Sequence, residues 1–224
     1  MDPSFNRGDI FRLLEELDRK DPERQLFGSG AHEYRLFPPL PESEVIEFEE
    51  KHQVSLPEDY RFFVTEVGNG GAGPYYGVFQ FGEEDDGHGF CKWENGFLVG
   101  DLSKPFPHED DWNLPDSFWR QQPDPGPEIS VEEEDRLMAA WDRELEEKYW
   151  HPGIMNGAIP ICHLGCARRH WLVIKGGQRG IVWCDYRVDY KGLRPCRGPD
   201  RKPMNFSDWY MYWLRSPRAA MGIK

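Results

Sequence analysis

The 224-residue sequence predicts an α+β fold, a mainly antiparallel sheet with helices packed on one face and at the ends. Three observations carry that expectation. Apolar residues recur at helical spacing in five separate stretches, each bounded by capping or breaking residues. Three short β-prone runs lie close together between Ile159 and Cys184 and need only short connections. No fixed-period repeat or low-complexity tract points to a solenoid, a propeller or a disordered chain.

The first helix is expected over Arg7 to Arg19, where Ile10, Leu13, Leu14 and Leu17 form one stripe and Ser4 or Asn6 supplies the cap. Asp21-Pro22 ends it. Phe27 to Gly30 reads as loop, and Pro38-Pro39 holds Tyr34-Arg35-Leu36 extended.

The organising stretch runs from Leu40 to Phe81. Glu42 to His52 is helical, with Val45, Ile46 and Phe48 inward and glutamates mostly outward. Pro57 suits the first turn of the next helix because its φ is already helical and its missing N–H is not needed there. Tyr60, Phe63, Val64 and Val67 fall at i, i+3, i+4 and i+7, and Gly68 follows as a C-terminal cap. Asn69 to Pro74 is a glycine turn requiring positive φ rather than a phosphate loop, because it follows the negative end of a helix dipole. Tyr75 to Phe81 is expected to be a strand.

Glu83-Glu84-Asp85-Asp86 reads as an exposed acidic loop, and Lys104 to Pro107 as an ordered irregular connection. A short helical turn at Phe118 to Arg120 precedes the linker Gln122 to Pro127. Ser130 and Glu133 form a capping box for a helix that carries Leu137, Met138, Trp141 and Leu145 on one face. Nine acids against three bases in residues 128–148 leave its other faces acidic and wet. Ile159–Cys162, Trp171–Ile174 and Ile181–Cys184 are strands, the last two a hairpin around Lys175 to Gly180. Arg194-Pro195 to Pro203 reads as loop, and Phe206, Trp209, Tyr210, Trp213 and Leu214 mark a final helix capped by Asn205 or Ser207.

The combination of Leu56-Pro57-Glu58-Asp59-Tyr60, the Asn69 to Gly77 turn and a tryptophan-rich C-terminal helix resembles the signature of the SUKH superfamily, the Smi/Knr type. The resemblance spans roughly residues 34 to 215. It implies one domain over 1–224, here with an N-terminal helical extension (1–33) and a linker plus acidic helix insertion (122–150). It also implies a non-enzymatic protein-binding role. Members of that family include bacterial immunity proteins that bind and neutralise a cognate polymorphic toxin, often a nuclease or a deaminase, and fungal regulators of cell-wall synthesis. A regulatory adaptor of the fungal kind is therefore the alternative, and a metal-dependent enzyme the third.

Charge bounds the partner. The net charge is −13, yet the last 65 residues hold four acids and thirteen bases. An acidic surface does not attract nucleic acid; its charge serves solubility and internal pairing between the two parts of the chain, or favours a basic partner, which the family resemblance makes a basic toxin domain. Tyr75 and Tyr76 beside the glycine turn, with Glu83, Glu84, Asp85, Asp86, Glu109, Asp110 and Asp111, are the expected partner-binding residues, since exposed tyrosines anchor interfaces and acids steer association. Trp93 and Trp112 fit core packing better. No apolar run is long enough to span a membrane and no signal pattern opens the chain, which suggests the cytoplasm.

Five cysteines at irregular spacing read as free thiols rather than a disulfide framework. Cys162, His163, Cys166, His170 and Cys184 contain the ligand types zinc prefers, but the C-x3-C spacing without a second close pair fits ordinary packing, and no cofactor is expected. A Cys166, His170 and Asp185 triad can be drawn, yet no nucleophile elbow, phosphate loop or HExxH helix supports an enzyme.

Overall fold

The computed structural model describes residues 5–82 and 98–222. Glu83 to Asp86 and Trp93 therefore lie outside the described residues. Helix α1 (Arg7–Lys20) starts where Asn6 Oδ1 accepts the Asp9 N–H at 3.0 Å, and it buries Ile10, Leu14 and Leu17. The single turn α2 (Ser29–His32) leads to Tyr34, whose positive φ makes it a turn residue; only Leu36 of the expected extended stretch is bridged, to Gly71.

Helix α3 (Glu42–His52) buries Val45 and Phe48, but Ile46 stays 41% exposed because it falls one position off their stripe. Helix α4 (Glu58–Phe62) begins after Pro57 and widens through Phe63–Val67 into a π-helical turn, closed by Gly68 N–H donating to Phe63 O at 2.9 Å. Tyr60, Phe63, Val64 and Val67 are all buried, as their spacing predicts. Gly68 is needed for a reason other than a left-handed cap: its φ is 178°, and an added Cβ would sit 2.8 Å from Leu36 Cβ and 2.9 Å from Phe37 O.

The sheet is an antiparallel meander in the order β1 (Ala158–Gly165), β2 (Arg168–Val173), β3 (Val182–Asp185) and β4 (Leu193–Pro195). Two expectations are corrected here. Tyr75 to Phe81 is not a continuous strand, because positive φ at Tyr75 and Gly77 interrupts it; it touches β1 through Phe79 N–H to Ile161 O at 2.9 Å and a Val78–Cys162 bridge. Arg194-Pro195 is not loop but part of the edge strand β4, which is too short for periodicity to reveal.

Alternation sends Ile159, Ile161, Leu172 and Val182 toward one face of the sheet, where they join the buried stripes of α1, α3, α4 and α7 (Phe206–Arg215). Asn205 Oδ1 caps α7 by accepting the Asp208 N–H at 2.7 Å. Trp171, Val173, Trp183 and Leu193 turn to the opposite face and pack with Leu98, Phe106 and Met155. After a short α5 (Asp116–Trp119), helix α6 (Val131–Lys148) starts at Ser130, whose Oγ accepts the Glu133 N–H at 3.3 Å. Only Trp141 and Leu145 of α6 are buried, packed with Phe118 and Tyr149 in a small separate cluster; Leu137 is 37% exposed rather than inward. The chain ends in the short α8 (Pro217–Ala220). No described helix is long and apolar enough to cross a membrane.

Candidate functional site

The glycine turn decides where the two tyrosines go. Gly70, Gly71 and Gly77 have positive φ, and a Cβ on Gly77 would lie 2.3 Å from Gly71 O, so the chain doubles back on itself more tightly than other residues permit. Tyr75 is itself left-handed and its N–H points to Met221 Sδ at 3.3 Å. The half-buried side chains then diverge. Tyr75 meets the His170 ring edge-on at 5.8 Å, whereas Tyr76 stacks on His163 at 5.5 Å and abuts Phe27 at 5.2 Å.

Tyr75 lines a cavity of about 550 Å³ whose wall includes His170, Cys184 and Cys196, with Asp111, Tyr186 and Arg194 on the same lining. Burial holds His170 neutral, its pKa down at about 3, and Trp209 Nε1–H donates to its Nδ1 at 3.1 Å. Burial also raises the Tyr75 phenol above its usual range, so it is a neutral hydroxyl near pH 7. Arg194 lies over the Tyr186 ring at 4.7 Å, and Asp111 pairs with Arg197 at 3.4 Å.

Of the expected partner-binding residues, Tyr75 and Asp111 come together on this cavity, while Tyr76 lines a separate hollow of about 250 Å³ beside Arg35 and Phe37. Glu109 is exposed and accepts from Gln178 Nε2 at 3.1 Å, on the turn between β2 and β3; Asp110 is exposed. Trp112 is half-buried and stacks on Tyr149, the residue that ends acidic helix α6, at 5.6 Å. That helix exposes Glu132, Glu133, Glu134 and Asp135 in its first turns.

The sulfur chemistry differs from the expectation of free thiols throughout. Cys184 and Cys196 are joined by a disulfide, with Cα atoms 5.5 Å apart. β4 turns the chain so that Cys184 opposes Arg194, which leaves Cys196 on the diagonal of the same face. Cys162 and Cys166 are free, Cys162 buried with its thiol directed at Pro74 O at 3.2 Å, Cys166 exposed in the β1–β2 turn. No triad forms. His170 pairs with Cys184 across β2 and β3, while Asp185, one residue on, faces the other side and is held by Arg187 and Trp171 Nε1. Among the described residues, His170, Cys184 and Cys196 offer ligand atoms that all lie within 4.8 Å of one another; of these, Cys196 was not among the cysteines and histidines weighed from the sequence.

Sequence reasoning missed Cys196, Tyr186, Arg194 and Trp209 as companions of Tyr75. Alternation along β3 shows Cys184 facing inward, but the partner of that face depends on a three-residue strand with no signal of its own.

The family model described as SMI1 / KNR4 family (SUKH-1) matches residues 39–197. No curated protein and no solved structure matches the chain.

Proposed function

Because the chain belongs to the SMI1 / KNR4 family (SUKH-1), we propose that it is a non-enzymatic protein-binding domain that binds and neutralises a basic toxin domain in the cell that makes both. The observation that supports this reading is the acidic surface of α6, where all but one stripe faces water, together with the exposed Glu109, Asp110 and Asp111. Such a surface gives a basic partner fast, salt-sensitive encounter, and a half-buried tyrosine beside a cavity gives a contact that excludes water. The cytoplasm is the compartment in which such a partner would be met.

The test is co-expression with the protein encoded by the adjacent reading frame. Rescue of growth together with a one-to-one complex on size exclusion supports neutralisation. A neighbour that is harmless and unbound, with the chain instead held in an assembly of cell-wall enzymes, would favour the regulatory adaptor. The acid-to-base asymmetry favours neutralisation, because a basic nucleic-acid-binding toxin is the partner such a surface fits.

A further inference from the structure

We propose that the Cys184–Cys196 disulfide is the metal-free, oxidised form of a zinc site, and that in the reduced protein Cys184, Cys196 and His170 hold one zinc ion with its fourth position open to the adjoining cavity.

The geometry points this way. Tetrahedral zinc with sulfur at about 2.3 Å and nitrogen at about 2.0–2.1 Å places its ligand atoms about 3.5–3.8 Å apart. The three ligand atoms here already lie within 4.8 Å of one another: the pairing of β2 and β3 sets His170 beside Cys184, and Cys196, just past β4, is held alongside by its N–H donating to Val182 O at 2.8 Å. Opening the disulfide lets both sulfurs move outward from bonding contact by side-chain rotation alone, with the Cα separation of 5.5 Å unchanged. All three residues are buried, and the charges suit that: one divalent ion and two thiolates sum to zero, so the loaded site adds no net charge to the interior. Thiolate and imidazole donors select zinc over magnesium or calcium, which take oxygen.

The chemistry closes without an unnamed reactant. A small-molecule thiolate attacks one sulfur of the disulfide and displaces the other cysteine as thiolate; a second thiolate attacks the mixed disulfide and releases the first. The two electrons end in the protein dithiol, and the two small thiols leave as their own disulfide. Zinc then replaces the protons of both cysteine thiols, and two protons go to solvent. The His170 ring contributes one nitrogen lone pair and keeps its single N–H, so it adds no proton to that balance.

That lone pair supplies an independent signal. A neutral imidazole has one, and in the oxidised form it accepts the Trp209 indole N–H at 3.1 Å. A metal bound at either ring nitrogen leaves the indole no acceptor on that ring, so loading must break the Trp209–His170 bond.

The experiment uses the full chain, fully reduced by a small thiol under anaerobic conditions, against the same protein oxidised. Cobalt(II) is the probe. Reduced protein is expected to take up one equivalent with thiolate-to-cobalt charge-transfer absorption, to lose that absorption to one equivalent of zinc, and to shift the Trp209 indole N–H resonance, assigned with Trp209→Phe. Oxidised protein should show none of these. Cys196→Ser should weaken cobalt binding at least tenfold, while Cys166→Ser, the exposed thiol, leaves it unchanged. Absence of charge-transfer absorption in reduced wild-type protein overturns the proposal even if a variant fails to fold. So does a charge-transfer band that survives Cys196→Ser or disappears with Cys166→Ser.

Discussion

Arg187 is fully buried and clamps Asp185 with two nitrogens, Nε to Oδ1 at 3.0 Å and Nη2 to Oδ2 at 2.7 Å. Its third nitrogen donates to Tyr149 O at 3.2 Å, so one guanidinium joins the end of α6 to β3. The same aspartate accepts from Trp171 Nε1 on β2. This cluster is the polar pin between the sheet and the acidic helix.

Replacing Arg187 by alanine is expected to cost about 3–5 kcal/mol, because it strands a buried carboxylate. Removing both charges with Asp185→Leu and Arg187→Met should cost clearly less than that single change. Urea unfolding of the two variants decides it; equal losses would mean that packing around Arg187 matters more than its charge.

The second expectation concerns α4. Tyr60 and Phe63 are fully buried against Phe206 and Tyr210 of α7, with ring separations of 4.9 Å for Tyr60–Phe206 and Phe63–Tyr210. Either alanine substitution should cost about 3–5 kcal/mol. Gly68→Val should also destabilise, through collision with Leu36 and Phe37 rather than through backbone strain. Leu36→Gly removes the Cβ that a side chain at position 68 would meet, so it should cost less stability in the Gly68→Val background than in the wild-type chain.

These helices were legible in the sequence because each has an amphipathic stripe bounded by a proline or a capping residue, and α3 begins and ends where periodicity places it. Exposure was misread at Ile46 and Leu137, each next to a true stripe residue, because apolarity alone does not say which of two adjacent positions faces in. The sheet was legible in its three central runs. Its edge was not: β4 has three residues, and the Tyr75–Phe81 segment is apolar and β-prone but bent by left-handed backbone. The candidate site suffered most from this. Tyr75 was visible beside its glycine turn, but the disulfide and His170 behind it depend on long-range register, which no local pattern encodes.

Three buried histidines set the acid response. Burial lowers His32 and His108 to about 4 and His170 to about 3, so each is neutral in the folded protein at pH 7. The unfolded chain protonates them near 6.5. Stability tied to these groups is therefore fully present above pH 6.5 and declines as pH falls from there toward their folded values, on the order of 1 kcal/mol per pH unit for each histidine. Urea midpoints measured between pH 7 and pH 4.5 should fall steadily. His108→Gln should reduce the slope, since its Nε2 partner is the neutral Ile154 O at 3.0 Å and an amide can replace that contact. A flat profile across this range would show that these rings are solvated in the folded state.

The last expectation separates steering from anchoring at the proposed partner surface. Changing Glu132, Glu133, Glu134 and Asp135 to Gln or Asn should leave the fold intact, because the four side chains are exposed and such charges contribute little to stability. Association with a basic partner should slow several-fold and lose much of its salt dependence, while dissociation changes little. A parallel variant neutralising Glu83, Glu84, Asp85 and Asp86 tests the other acidic run in the sequence. Tyr75→Ala should act in the opposite way, raising the dissociation rate with the salt response unchanged, if its cavity-side ring is a desolvated contact. Tyr76→Ala provides the comparison, because its stacking on His163 places it on a different hollow. Stopped-flow association at two ionic strengths measures all four. Should Tyr76 rather than Tyr75 control dissociation, the partner face moves to the hollow beside Arg35 and Phe37; should neither acidic variant alter the salt response, the steering charge lies elsewhere and the basic-partner reading fails.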